Sequence, residues 1–225
     1  MTIARVTDIA SRYARVLDEV GPDVTVVVAT KYVTAEEMSV LADAGVEVVG
    51  ENRAQDLERK HGLHGDAFRW HFIGHLQSNK AKVVNRICEL VHSLDSGSAA
   101  RKLTVPALVE VNLSGEASKS GVAPEALPAL LEVNLSAEDS KSGVPPAEIA
   151  GFVERYPLIR GLMTMPPLAR DPDASRPYFR RLRELAEEHK LADLSMGTSQ
   201  DYCVAVEEGA TLVRVGATIF GADQG

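Results

Sequence analysis

Val24-Thr-Val-Val-Val28 is a run of five β-branched residues with no alternating polar face, the pattern of a strand buried on both sides in a parallel sheet. The run continues as Ala29-Thr-Lys-Tyr-Val-Thr34, which puts a single lysine, Lys31, at the carboxyl end of the predicted strand. Before it, Ile3, Val6, Ile9, Ala10, Tyr13 and Leu17 fall at helical spacing and predict an amphipathic helix over 3–20. After it, Thr34-Ala-Glu-Glu37 has the spelling of a capping box and opens a helix to about Ala44, closed by Gly45. Strands follow at 46–52, 70–75 and 90–95, with helical stretches between them. Farther on, 159–165, 194–197 and 211–220 read as strands, 177–191 as a charged amphipathic helix and 200–208 as a shorter one stopped by Gly209. With one strand from the middle of the chain the count is eight. This alternation predicts a single (β/α)8 barrel domain over 1–225, slightly below the usual size, with an extra N-terminal helix. A doubly wound open sheet is the alternative.

The middle of the chain is irregular. Residues 108–124, LVEVNLSGEASKSGVAP, recur at 130–146 as LLEVNLSAEDSKSGVPP, an offset of 22 residues. That offset is short beside a βα unit of roughly 30 residues and reads as a local duplication. A ninth strand would break barrel closure, so one copy is expected outside the wall. The first copy is favoured as strand five, because Pro124 to Glu132 after it is helical in pattern, at the cost of a very short preceding helix, 98–103. Residues 133–136 of the second copy are then expected as helix or loop.

Composition narrows the function classes. The chain has 225 residues, with 24 basic against 32 acidic side chains and a net charge of −8, which argues against a general nucleic-acid or anionic-membrane binder. Charges at Arg5, Asp8, Arg12, Arg15 and Asp18 interrupt the amino terminus, leaving no apolar signal core, and no later run is long enough to span a membrane. Cys88 and Cys203 form no paired motif, which suits a reducing cytoplasm. Without a secretory signal, the sequons at Asn112 and Asn134 carry no meaning.

Candidate chemistry gathers at predicted strand ends. A partly buried Lys31 would lose hydration, which lowers the pKa and exposes a nucleophilic amine; the alternative is a strand-end lysine reaching into solvent. Gly197-Thr-Ser199 lies between a strand and a helix, where Ser199 either caps the helix or donates to an anion. One strand later, Arg214-Val-Gly216 brings a glycine that lets backbone approach a ligand, and adjacent βα loops late in a barrel commonly seat a phosphate. His71 and His75 have the spacing of helical metal ligands but lie on a predicted strand with no third ligand. Met163 and Met165 alternate on a strand, so they are expected on one face as core packing or as a floor for a ligand.

The motifs VVVATKYV, VVGENRAQD, WHFIGHLQSNK, VHSLDS, VEVNLSGEASKSG, RGLMTMPP, LSMGTSQDY and VRVGATIFG, in this order, make the whole chain resemble the pyridoxal phosphate homeostasis proteins, the YggS/PROSC type. The resemblance implies a barrel similar to the amino-terminal domain of alanine racemase that holds pyridoxal 5′-phosphate as a Schiff base. By that resemblance Lys31 carries the cofactor, Ser199 and the Val215-Gly216 backbone hold its phosphate, Arg214 faces the pyridine nitrogen and Asn52 lies near the ring hydroxyl. Arg214 pairing with Glu207 or Glu208 is the alternative for that residue. Thr198 stands where the family has methionine, and the duplication leaves open which of Lys119 and Lys141 holds the family position.

Three functions follow from this reading. The favoured one is a non-catalytic protein that carries or buffers pyridoxal phosphate; the others are a racemase or aldolase using pyridoxal phosphate, and an aldolase using Lys31 directly on a phosphorylated sugar. A racemase needs an acid/base group on each face of the substrate carbon, and in alanine racemase architecture the second comes from a carboxyl-terminal domain. The sequence given stops at Gly225, just after the last strand, which favours the carrier. Apo-enzymes that receive the cofactor are the expected partners, and the expected state is a monomer or weak dimer.

Overall fold

A computed structural model describes residues 3–111, 113–114 and 158–221. In chain order, α1 (Ile3–Val20) leads into β1 (Thr25–Ala29), α2 (Met38–Asp43), β2 (Val48–Glu51), α3 (Ala54–His64), β3 (Arg69–Phe72), α4 (Ala81–Ile87) and β4 (Leu90–Leu94). Next come α5 (Gly97–Ala100), β5 (Ala107–Glu110) and β6 (Ile159–Met163), then α6 (Arg176–Glu188), β7 (Asp193–Thr198), α7 (Tyr202–Glu207), β8 (Leu212–Val215) and α8 (Ala217–Phe220). The eight strands pair in sequence order and close, β8 lying parallel to β1 with Thr25 opposite Leu212 and Val28 opposite Val215. Closure removes the open-sheet alternative.

Two apolar layers hold the barrel. Val27, Val48, Leu90, Leu108, Met163 and Leu212 fill the interior with Ile73, while residues of alternate register, such as Val26, Val28, Val49 and Val213, pack outward under the helices. Side chains that alternate across each strand and are buried on both faces account for the near-continuous valine runs. On α1 the buried stripe is Ile9, Tyr13, Val16 and Val20. Ile3 and Leu17, expected on that face, are exposed.

Strand five comes from the first copy of the duplication. Ala107–Glu110 pairs with β4 on one side and β6 on the other, and Val109 and Val111 are buried. Lys119, Lys141 and the second copy, 130–146, lie outside the described residues.

Several strands are shorter than the hydrophobic pattern predicts. β1 ends at Ala29, before Lys31, and β8 ends at Val215, after which Gly216 turns the chain into α8. β6 ends at Met163, so Met163 lies in the interior while Met165 is exposed and the two do not share a face. The capping box at Thr34 forms reciprocally, with Glu37 N–H donating to Thr34 Oγ1 at 3.3 Å and Thr34 N–H to Glu37 Oε2 at 3.1 Å. It closes a turn rather than a helical one, and α2 starts only at Met38. Among the described residues no helix is long and apolar enough to cross a membrane.

Candidate functional site

All the strands run in parallel, so their carboxyl ends share one mouth, and closure sets the loop after β1 beside the loop after β8. Gly216 lies close to Ala29: a Cβ built on it would stand 3.6 Å from the Ala29 carbonyl oxygen. Lys31 follows two residues later, in a turn closed by the Val33 N–H donating to the Thr30 carbonyl at 2.9 Å. Its side chain is exposed, with Nζ 4.5 Å from the centroid of the Tyr32 ring. Of the two readings of this residue, the partly buried amine is corrected and the lysine reaching into solvent is the one observed, because the strand stops short of Lys31 and the turn carries it outward.

Ser199 sits in the loop between β7 and α7. Its Oγ accepts two backbone N–H groups, from Gly216 at 3.0 Å and Thr218 at 3.1 Å. Thr218 Oγ1 returns a bond to the Ser199 carbonyl at 3.3 Å. The backbone after β8 thus presents two donors to one oxygen position, an arrangement that suits an anionic oxygen. Val215 is fully buried and paired with Val28. The Thr198 hydroxyl is taken up locally, since Thr198 N–H and Oγ1 bond Asp201 Oδ1 at 2.7 and 3.0 Å. Gly197 holds φ +92, and a Cβ there would come within 2.6 Å of the Ala205 Cβ, so glycine is what lets β7 turn into α7.

Arg214 is buried inside the barrel. Nη1 donates to the Ser195 carbonyl at 3.0 Å and to the Ser195 hydroxyl, and Nη2 donates to the Thr164 carbonyl at 3.0 Å. Burial pulls it down to about 10 against the attraction of Glu110 and Asp201, so it stays cationic at neutral pH. The alternative pairing with Glu207 or Glu208 is not made: Glu207 takes Arg176, and Glu208 takes Arg176, Arg180 and Arg183.

Asn52 follows β2. Its Oδ1 is buried without a hydrogen-bond partner, and its backbone is held against Gly74, where any Cβ would overlap the Asn52 carbonyl. A buried unpaired amide oxygen costs free energy unless a partner arrives. Asn52 is the described candidate with an unmet polar atom.

Residues 6–224 match the family model described as the alanine racemase N-terminal domain. A curated relative named pyridoxal phosphate homeostasis protein, from Aquifex aeolicus, is 39% identical over 211 residues, 86% of this chain and 84% of its own length. Another of that name, from Pseudomonas aeruginosa, is 37% identical over 80% of this chain and 76% of its length. The chain belongs to the pyridoxal phosphate homeostasis family, within the alanine racemase N-terminal-domain fold. Among solved structures, PipY of Synechococcus elongatus, with pyridoxal phosphate (PLP) bound, superposes with a TM-score of 0.79 at 29% identity, covering 95% of this chain and all of its own. Alanine racemase from Bartonella henselae shares the fold, with a TM-score of 0.71 at 14% identity over 97% of this chain and 60% of its own.

Two features of the site escape sequence reasoning. Thr218 was hidden because 211–220 reads as one strand, whereas the strand ends at Val215 and Thr218 lies in the helical turn Ala217–Phe220. The second is a polar chain inside the barrel. His71 Nδ1 lies 2.9 Å from His92 Nε2, and His92 Nδ1 lies 2.8 Å from Ser195 Oγ, which also takes Arg214. Burial, with some help from Arg69, pushes His71 down to about 4, and burial holds His92 well below the usual range. Both imidazoles are neutral at pH 7. The available signal was a histidine at the middle of each of two buried strands. His75, by contrast, is exposed and bonds Asp95 Oδ2 at 2.8 Å through Nδ1. No three potential ligands gather around a metal position among the described residues.

Proposed function

We propose that this chain binds pyridoxal 5′-phosphate and holds or buffers it for other proteins, with Lys31 as the attachment point. The observation that carries the reading is the pair of N–H groups from Gly216 and Thr218 converging on Ser199 Oγ, one strand away from the Lys31 turn. Family membership and the cofactor bound to PipY support it. When bound, the cofactor supplies an aldehyde that condenses reversibly with a primary amine, and a phosphate that anchors it.

The residues fit that group. Lys31 offers an accessible amine, and the Ser199 hydroxyl can donate to a phosphate oxygen. The Gly216 and Thr218 N–H groups become donors for phosphate once Ser199 Oγ turns out of their shared position, and Asn52 brings an amide whose oxygen lacks a partner. Arg214, fixed by two carbonyl oxygens and a hydroxyl, brings a permanent cation to the barrel interior. A pyridine nitrogen set against that guanidinium would accept a hydrogen bond and resist protonation, which would make the ring a weaker electron sink than one set against a carboxylate. That weighs toward holding over turnover. Cys88 is buried and Cys203 exposed, both as free thiols, consistent with a reducing cytoplasm.

The test is cofactor content with and without Lys31, followed by delivery. Wild-type protein should purify with cofactor and restore activity to an added apo-enzyme, while Lys31→Ala should fold normally, lack the covalent attachment and retain little cofactor. Turnover of amino acids by the loaded protein at ordinary enzymatic rates, roughly 1 to 10³ s⁻¹, would reject the carrier reading.

A further inference from the structure

Lys60 and Glu51 form an ion pair in which both side chains are 1% exposed. Lys60 stands on the inward face of α3 with Ala54 and Leu57, where an apolar residue would ordinarily sit. Glu51 is the last residue of β2. Burying two charges is costly, and replacing such a pair with apolar residues is often neutral or stabilising. Stability alone is therefore a weak reason for it.

The pair reaches across to a third element. Lys60 Nζ also donates to the Thr30 carbonyl at 2.7 Å, and Glu51 Oε1 receives both Lys60 Nζ and the Thr30 hydroxyl. Thr30 N–H donates to the Gly50 carbonyl at 3.0 Å, and its Oγ1 lies 3.2 Å from the same oxygen. Thr30 immediately precedes Lys31, and Glu51 immediately precedes Asn52. The carbonyl held by Lys60 is the one that accepts the Val33 N–H and closes the Lys31 turn.

We propose that Lys60 and Glu51 are positioning residues, a charged clamp that fixes the Lys31 turn and the Asn52 backbone in one frame. The inference rests on the reading of Lys31 as the attachment point. An exposed lysine on a short turn samples many directions, and anchoring the peptide just before it limits where its amine is presented. Three atoms of Thr30, its N, O and Oγ1, are tied to β2 and α3, so the end of β1 moves with β2. The clamp acts through backbone and has no contact with the lysine amine.

Two readouts test this, one independent of cofactor. In the double variant Glu51→Leu with Lys60→Met, the Val33 amide should exchange with solvent at least tenfold faster than in the wild type. Borohydride trapping of added pyridoxal phosphate at Lys31 should slow by a similar factor, while thermal unfolding stays cooperative. If the double variant does not fold, Thr30→Val decides, because it keeps the ion pair and removes only the hydroxyl; it should shift both readouts in the same direction by a smaller factor. A folded variant with wild-type exchange at Val33 overturns the clamp. Trapping at a different lysine in the wild type rejects the attachment reading instead, leaving the exchange measurement to judge the clamp.

Discussion

Ser199 Oγ accepts N–H groups from Gly216 and Thr218. Ser199→Ala removes that acceptor and leaves two part-buried donors converging on an empty position, at a cost of about 1 kcal/mol, less than for fully buried donors because water can reach them. The variant should melt earlier than the wild type, and inorganic phosphate should recover more of the loss in the variant than it adds to the wild type, since an anion can take both donors. Equal phosphate effects would contradict an anion seat here. Ser199 and Gly216 were legible as a Gly-x-Ser turn before a helix and a glycine after a strand, but Thr218 was not, because Thr-Ile-Phe after Ala217 reads equally well as strand. His71 and His92 were invisible as a pair, since their contact joins neighbouring strands 21 residues apart. Their protonation carries a pH signature. Unfolded histidine titrates near 6.5 and folded His71 near 4, so between those values the unfolded chain binds more protons and stability falls as pH falls. The loss from His71 is on the order of 3 kcal/mol across that window, and His92 adds to it in the same direction. A denaturant midpoint that stays constant from pH 6.5 to 4 would contradict neutral buried imidazoles.

Among the elements, strands were easy to find and hard to end. The valine runs announce burial on both faces, yet the apolar pattern continues past β1 and β8 because Val33 and Ile219 are themselves core residues in the loop and helix that follow. Periodicity reports burial and cannot by itself tell a strand residue from a packed turn. The capping box shows the same limit: the side-chain and backbone bonds of Thr34 and Glu37 form as the spelling implies, one turn ahead of the helix they were expected to start. Thr34→Ala should therefore cost about 1 kcal/mol, as loss of a cap does, read as a lower denaturant midpoint with cofactor affinity little changed. A large loss of affinity would mean that this turn, and with it the Lys31 loop, depends on the box. Choosing the first repeat copy as β5 succeeded because a barrel has room for one strand between β4 and β6, an argument from closure that holds without knowing what the second copy does.

For the molecule as a whole, closure does the functional assembly. Lys31 and Asn52 come from the first quarter of the chain and Ser199, Arg214 and Gly216 from its end, and the β8 to β1 pairing brings the two sets to the same mouth. The fold class was legible because eight strand-helix alternations in 225 residues leave few other architectures. Side-chain exposure at the mouth was left open between a partly buried and a solvent-facing Lys31, and the lysine lies in solvent. Lys31 is the residue on which covalent holding depends. Reduction of the cofactor-loaded protein with borohydride, digestion and peptide mass mapping should place a single pyridoxyl phosphate adduct on Lys31, and Lys31→Ala should carry none. An adduct on another lysine, or an unmodified chain after saturation with cofactor, would contradict it.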